Sequence, residues 1–302
     1  MRLIKENIVW YDLYPSTDEE IDFLGKSFEL NSSLIEELKN QSPRQKIEKH
    51  QDFIFLVIRF PIYNESKKTC TPVEINFLIK EKEVATIRYE NCQPIDEFFK
   101  NAEELEGFKK KYFDQTTAEF LNGLFGHLFS YANRELAHID KEVNLITDKI
   151  FKGKEKEMIK QLSVAKRDIL DFRRIMKPIQ GLLKSLAGLN QELYQENKSS
   201  LFDQIYGLYL DTIDLAENQK DTIDSLEATN SSLLSSKLDE VTKILSWLAF
   251  LLAPFTIIGT LFQINTQFTP IIGKPADWYI ITGITLVCSF GLYLIMKKKN
   301  WL

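Results

Sequence analysis

The chain predicts an α+β domain followed by long helices and a two-helix membrane hairpin at its C-terminal end. Three observations carry this. Ile244–Ile272 and Trp278–Met296 contain no charged residue, and at about 1.5 Å per residue each can cross a hydrocarbon core of roughly 30 Å. Between about residues 115 and 253 apolar residues recur at three- and four-residue steps, the period of a helix with one buried face. Before that, β-rich runs alternate with helix starts.

In the first part, Ile8–Leu13 reads as a strand and Ser16–Glu20 as a helix start with acids in its first turn, which suits the helix dipole. Two helices follow, about 17–28 and 31–40. Phe53–Pro61 and Val73–Ile79 are β-rich, with a polar, turn-like stretch from Tyr63 to Thr71 between them. Glu83–Tyr89 adds a third strand, making a meander in a mostly antiparallel sheet. From about Gln115, the residues Phe120, Leu124, Leu128, Tyr131, Leu136, Ile139, Val143 and Ile146 lie on one apolar stripe. Phe151-Lys152-Gly153-Lys154 is a break. A second long helix is expected from about Glu155 to Ala187, its inner face Leu162, Ala165, Ile169, Phe172, Ile175 and Ile179, with Pro178 interrupting its end. The two form an antiparallel hairpin.

A third helix begins near Ser199 and meets no Pro or Gly between Gly207 and Pro254. It reads as one helix of roughly fifty residues or more, about 80 Å long, running from water into bilayer. A polar helix of that length needs neighbours, either the hairpin or copies of itself. The expected division is 1–112, 113–198, 199–243 and 244–302.

Composition sets the class. The 302 residues are 44% hydrophobic and 27% charged, with formal net charge -5. That charge argues against a general nucleic-acid binder. Cys70, Cys92 and Cys288 have no metal-ligand spacing and read as reduced thiols. The N-terminal residues lack the apolar core of a secretion signal, so no cleaved signal peptide is expected. Lys297, Lys298 and Lys299 follow the second span directly, with Trp301 behind them. By the positive-inside rule both termini face the cytoplasm, and the protein is expected in the cell (inner) membrane. The outer loop, about Gln263 to Asp277, then holds only Lys274 and Asp277 as charges.

The first span carries a polar stripe. Asp239, Thr242, Leu245, Ser246, Ala249, Ala253, Thr256, Thr260 and Gln263 follow helical spacing inside an otherwise apolar run. A pore-lining helix needs small or polar groups on one stripe; Ser and Thr also serve helix packing in membranes, and spacing alone is compatible with both. Pro254 removes one backbone hydrogen bond, and Gly259 one turn later allows close approach of a helix. A single hairpin cannot enclose a pore, so a channel would be an oligomer with first spans facing its axis. Gln263 and Asn265 would then ring the outer mouth. Amide carbonyls are hard oxygen donors, suited to a divalent cation that keeps its water shell.

These residues resemble the CorA-type divalent-cation transporters over essentially the whole chain. Val241–Gly259, with its Pro254-Phe255-Thr256 and Gly259, is similar to that family's K-x-L-T…P-L-T-x-I-x-G helix. Lys297–Leu302 matches its basic tail. Trp10-Tyr11-Asp12-Leu13, Pro43–Glu48, Phe53–Arg59 and Leu170–Arg174 resemble its W-I-D-L, P-R-x-K-x-E, F-L-V-L-R and L-R-R segments. The resemblance implies a homopentamer with a cytoplasmic α+β funnel domain, a stalk helix continuing into the first span, and a basic collar (here Lys297, Lys298, Lys299). It implies a divalent cation, magnesium before cobalt, nickel or zinc, as substrate and as regulator, with no organic cofactor. Its partners are copies of itself, the bilayer and the cation, and no nucleic acid. Stalk acids such as Asp203 and Asp211 could hold a regulatory metal or form a solvated face. The ion filter falls on Gln263, Ile264 and Asn265: Phe262-Gln263-Ile264-Asn265 stands where the family has Y-G-M-N. Zinc-associated ZntB relatives also vary there.

The alternative is a non-conducting membrane scaffold or sensor that kept the fold and lost the filter. An enzyme is disfavoured. His50, His127 and His138 show no partner pattern, and neither a nucleotide-binding glycine loop nor a nucleophile motif is present.

Overall fold

The structure, a computed structural model, describes residues 1–64, 69–194, 199–264, 271–273 and 275–298, with side chains omitted for 190–202. The chain packs as two compact units, Met1–Glu227 and Ala228–Leu302.

The first unit is built on a six-stranded sheet of β1 (Arg2–Lys5), β2 (Val9–Leu13), β3 (Lys46–Lys49), β4 (Ile54–Asn64), β5 (Thr69–Ile79) and β6 (Glu83–Arg88). Their order is β1-β2-β6-β5-β4-β3. The expected meander is β4-β5-β6, antiparallel throughout, and only β2 against β6 is parallel. The Tyr63–Thr71 stretch is less turn-like than its polarity suggests. Tyr63 pairs with Cys70 and Asn64 with Thr69, so the ladder runs to both ends of the hairpin; β-branched Ile62, Thr69 and Thr71 favour that extended backbone.

Helices α1 (Asp18–Ser27) and α2 (Ser32–Leu38) close one face of the sheet. Thr17 and Glu20 form a capping box at the start of α1, and Asn31 caps α2. Ile21, Leu24, Phe28, Leu34 and Leu38 bury against Phe55, Val57, Leu78 and Ile87. The other face is covered by α3 (Gln93–Glu104), α4 (Glu106–Phe113) and α5 (Thr117–Phe151). Aromatic contacts hold it: Trp10 with Phe120 at 5.4 Å, Phe77 with Phe125 at 5.6 Å, Phe60 with Phe129 at 5.7 Å. Within this core Arg88 lies 2.8 Å from Asp12 and 3.0 Å from Asp96. The Thr86 hydroxyl donates to Asp12 at 2.7 Å, and the Trp10 indole N–H donates to Thr86 at 3.1 Å. Arg2 adds a second cation on Asp12 and Asp96, so the buried carboxylate and guanidinium are paired, as a buried charge requires.

The long helices follow the expected stripes. α5 pairs with α6 (Glu155–Met176), and each stripe residue of both is buried. The helix expected to run to Ala187 is two helices: α6 stops at Met176, and α7 (Ile179–Tyr194) resumes beyond Lys177-Pro178, because Pro178 has no N–H to bond the preceding turn. α8 spans Ser199–Gln263 as one element of 65 residues. The second unit holds its C-terminal part and α9 (Asp277–Lys298).

A candidate ion path along helix α8

In the first unit α8 has one packed face. Ile205, Tyr209, Thr212, Ala216, Gln219 and Ile223 are buried at helical spacing. Polar bonds fix the register: Asn122 donates to Gln204 at 3.2 Å, and the Gln219 amide donates to the Leu136 carbonyl at 2.8 Å. Arg173 pairs with Glu217, and Lys166 reaches Asp224 at 3.0 Å and Glu227 at 2.6 Å. Lys220 and Lys166 hold the Asp224 carboxyl below its usual range. Three stalk acids are thereby tied to their own chain. Asp203, Asp211 and Asp214 are exposed and enter no ion pair among the described residues. Among those residues no three His, Cys, Asp or Glu groups converge to hold a metal.

In the second unit the helix has a packed face of a different kind. Pro254 is buried, and Trp247, Leu251, Ile258 and Phe262 are half-buried, at steps of four, three, four and four. This face meets α9, whose Thr285, Ser289 and Met296 are buried in return. The Ser289 hydroxyl lies 3.5 Å from the Leu251 carbonyl. Thr285 and Ser289, one turn apart, are the small residues that let the helices approach. Their four-residue spacing is visible in the sequence, inside the uncharged run of the second span.

The polar stripe lies elsewhere. Asp239, Thr242, Leu245, Ser246, Ala249, Thr256, Thr260 and Gln263 are exposed, and Ala253 is half-exposed. At about 100° per residue, Thr256 stands some 200° round from Pro254, and Thr260 the same from Ile258. The stripe is therefore turned away from α9. Exposed apolar residues flank it: Leu248, Leu252 and Phe255 on one side, Phe250, Ile257 and Leu261 on the other. Thr256 donates its hydroxyl to the Ala253 carbonyl at 2.9 Å, and Thr260 to Thr256 at 2.9 Å. With the hydrogens committed to backbone, the oxygens offer acceptors outward. A Cβ on Gly259 would meet nothing within 4 Å, so its smallness does not serve packing on α9.

At the end of the helix Gln263 and Ile264 are exposed; Asn265 lies outside the described residues. Asp277, the lone carboxylate expected in the outer loop, accepts from the Gly273 N–H at 3.1 Å and stands first in α9. It stabilises a turn and a helix start. Lys297 and Lys298 close α9 exposed, where cations suit the helix dipole; Lys299 lies outside the described residues.

The sequence matches the family described as CorA-like Mg2+ transporter protein over residues 5–298. It is 21% identical over 280 residues to the cobalt/magnesium transport protein CorA of Thermotoga maritima, covering 92% of this chain and 79% of that protein. With the zinc transport protein ZntB of Pectobacterium carotovorum it shares 21% over 310 residues, 98% of this chain and 89% of the relative. The complete structure of the CorA magnesium transporter from Methanocaldococcus jannaschii has the same fold: TM-score 0.82 at 18% identity, covering 100% of this chain and 94% of that one.

Proposed function

The chain belongs to the CorA-like Mg2+ transporter family, a family of membrane ion transporters rather than enzymes, and from that premise we propose that it forms an axial pore for divalent cations in a homo-oligomer, most simply a pentamer. Copies surround an axis with the Asp239–Gln263 stripe facing inward. Gln263 and Asn265 ring the outer mouth, with Ile264 beside them, and Lys297–Lys299 form a collar at the inner one. The observation that carries this reading is the orientation of the stripe. Hydroxyls used for packing inside the hairpin would face α9; Thr256 and Thr260 face away from it, between two apolar flanks.

Magnesium is the first candidate ion. It gives up its water reluctantly, and the stripe offers acceptor oxygens that can hold shell waters without replacing them. Cobalt, nickel and zinc are the others; relatives are named for cobalt and magnesium and for zinc. The departure from Y-G-M-N at Phe262–Asn265, with Asp277 engaged in its turn, favours a second reading, a scaffold that does not conduct.

Ion flux into liposomes carrying the full chain separates them, comparing magnesium, cobalt and zinc with Asn265→Ala alongside. Flux that disappears in the variant supports the filter. Preference for zinc shifts the substrate. Absence of flux for every ion, from folded and assembled protein, overturns the pore.

A further inference from the structure

The connection between α5 and α6 is an unusual surface for a soluble tip. Phe151 is 68% exposed there, Leu145 60% and Ile159 49%. Around them Lys149, Lys152, Lys154 and Lys156 are all exposed, and none enters an ion pair among the described residues. The nearby acids Asp148 and Glu157 are exposed and fewer, and Glu155 is buried. An exposed aromatic that closes α5 just before the Lys152-Gly153 turn, ringed by lysines, is the composition of a segment that rests on a lipid headgroup layer.

The first unit's own geometry says which way the tip faces. α5 and α8 run in the same sense, Asn122 beside Gln204 and Leu136 beside Gln219. α6 runs back against α8, from Lys166 at Glu227 to Arg173 at Glu217. The tip thus extends beyond the level of Glu227 by the length of α6 between Glu155 and Lys166, about 16 Å. It does so at the end of the unit from which α8 goes on to its uncharged stretch.

We propose that the α5–α6 tip docks on the anionic cytoplasmic leaflet, with Phe151 entering the headgroup layer and Lys149, Lys152, Lys154 and Lys156 meeting lipid phosphates. The inference needs only the chain's membrane spans and is independent of conduction. Docking would fix the α5–α6 hairpin at a set height and make its position respond to lipid charge.

The test places a spin label at Phe151→Cys in full-length protein carrying Cys288→Ser; Cys70 and Cys92 are buried and stay unlabelled. The protein is held in nanodiscs of phosphatidylcholine alone or of an equal mixture with phosphatidylglycerol. Collisions with oxygen and with a water-soluble nickel chelate report depth. In the mixed discs oxygen collisions rise and nickel collisions fall. Each lysine-to-glutamine change lowers the docked-to-free ratio about fivefold, and the fourfold variant returns the label to water. A label at Ile159→Cys gives a second reading if the first perturbs the turn. A label equally wet in both discs overturns the proposal. So does one equally shielded in both and in detergent, which would mean that a second copy covers the tip.

Discussion

Replacing Thr256 by valine tests the proposed inward orientation of the stripe. Valine keeps the shape of threonine and removes only the hydroxyl, whose hydrogen is bonded to the Ala253 carbonyl at 2.9 Å. What the pore loses is an acceptor, repeated once per copy. A net hydrogen bond to a neutral group contributes about 1 kcal/mol. If a hydrated cation engages two or three oxygens of a fivefold ring as it passes, the variant raises the barrier by about 2–3 kcal/mol. Flux then falls by about 30- to 150-fold. Serine at the same position restores the oxygen and most of the flux. Thr282→Val on α9, whose hydroxyl bonds the Trp278 carbonyl at 2.8 Å, is the control and leaves flux within about twofold. The assay is dye-reported magnesium entry into liposomes under an imposed gradient, with assembly checked by size-exclusion chromatography. Assembled Thr256→Val protein that conducts like its parent would falsify the inward orientation of the stripe.

Three further outcomes are expected. Asp12→Asn leaves the fully buried Arg88 without its main counter-charge and lowers stability by about 3–5 kcal/mol in denaturant unfolding; a loss under about 1 kcal/mol would show that Asp96 alone suffices. Burial raises the Glu135 carboxyl above its ordinary value, against the opposing pull of His138 and Arg134, so the folded state keeps this proton to higher pH than the unfolded state and the group's contribution to stability declines as pH rises through that window. Glu135→Gln is therefore more stable than the parent near pH 7, and the gain fades toward about pH 4 in paired melting curves; a gain independent of pH would contradict the cause. For Asp203→Asn with Asp211→Asn, the magnesium-dependent rise in melting temperature of the assembled protein shrinks, as expected when a ligand binds only the native form, whereas Glu217→Gln lowers melting with and without magnesium. An unchanged magnesium response would remove both aspartates from any regulatory site.

Much of this molecule is legible in its residues because the elements are long. The absence of Gly and Pro would be a weak argument for a helix over ten residues. Between Gly207 and Pro254 it leaves little alternative, and α8 is continuous there. The buried stripes of α5 and α6 are equally plain. Short edge strands escape such reading. Lys46–Lys49 has three charges in four residues and no apolar alternation; it is a strand because Ile54–Val57 offers it a free edge. Arg2–Lys5 likewise depends on Val9–Asp12. The stalk acids show the same limit. Part of what separates Asp224 from Asp211 is local, Lys220 one turn before it at 2.9 Å; the rest comes from Lys166, 58 residues away in sequence (224 − 166) and 3.0 Å away in space.

The same division of acids bears on why the chain would assemble around a cation. In a bilayer, a single α8 would expose Gln263 and the stripe oxygens to hydrocarbon, where polar groups without partners are costly. The backbone bonds of Thr256 and Thr260 reduce that cost without removing it. Gathering copies around an axis moves the stripe from lipid to water and leaves the flanks Leu248, Leu252 and Phe255 for neighbours and lipid. The gain has an electrostatic counterpart. Asp239 belongs to the stripe, so each added copy brings another carboxylate toward the axis, and like charges at close range repel. Glu217, Asp224 and Glu227 add less to this, because Arg173, Lys166 and Lys220 pair with them within their own chain. A hydrated divalent cation on the axis would offset the repulsion at Asp239 while its shell waters meet the Thr242 hydroxyls one turn above. On the proposed reading, the ion that crosses the pore would therefore also hold its ring of helices together.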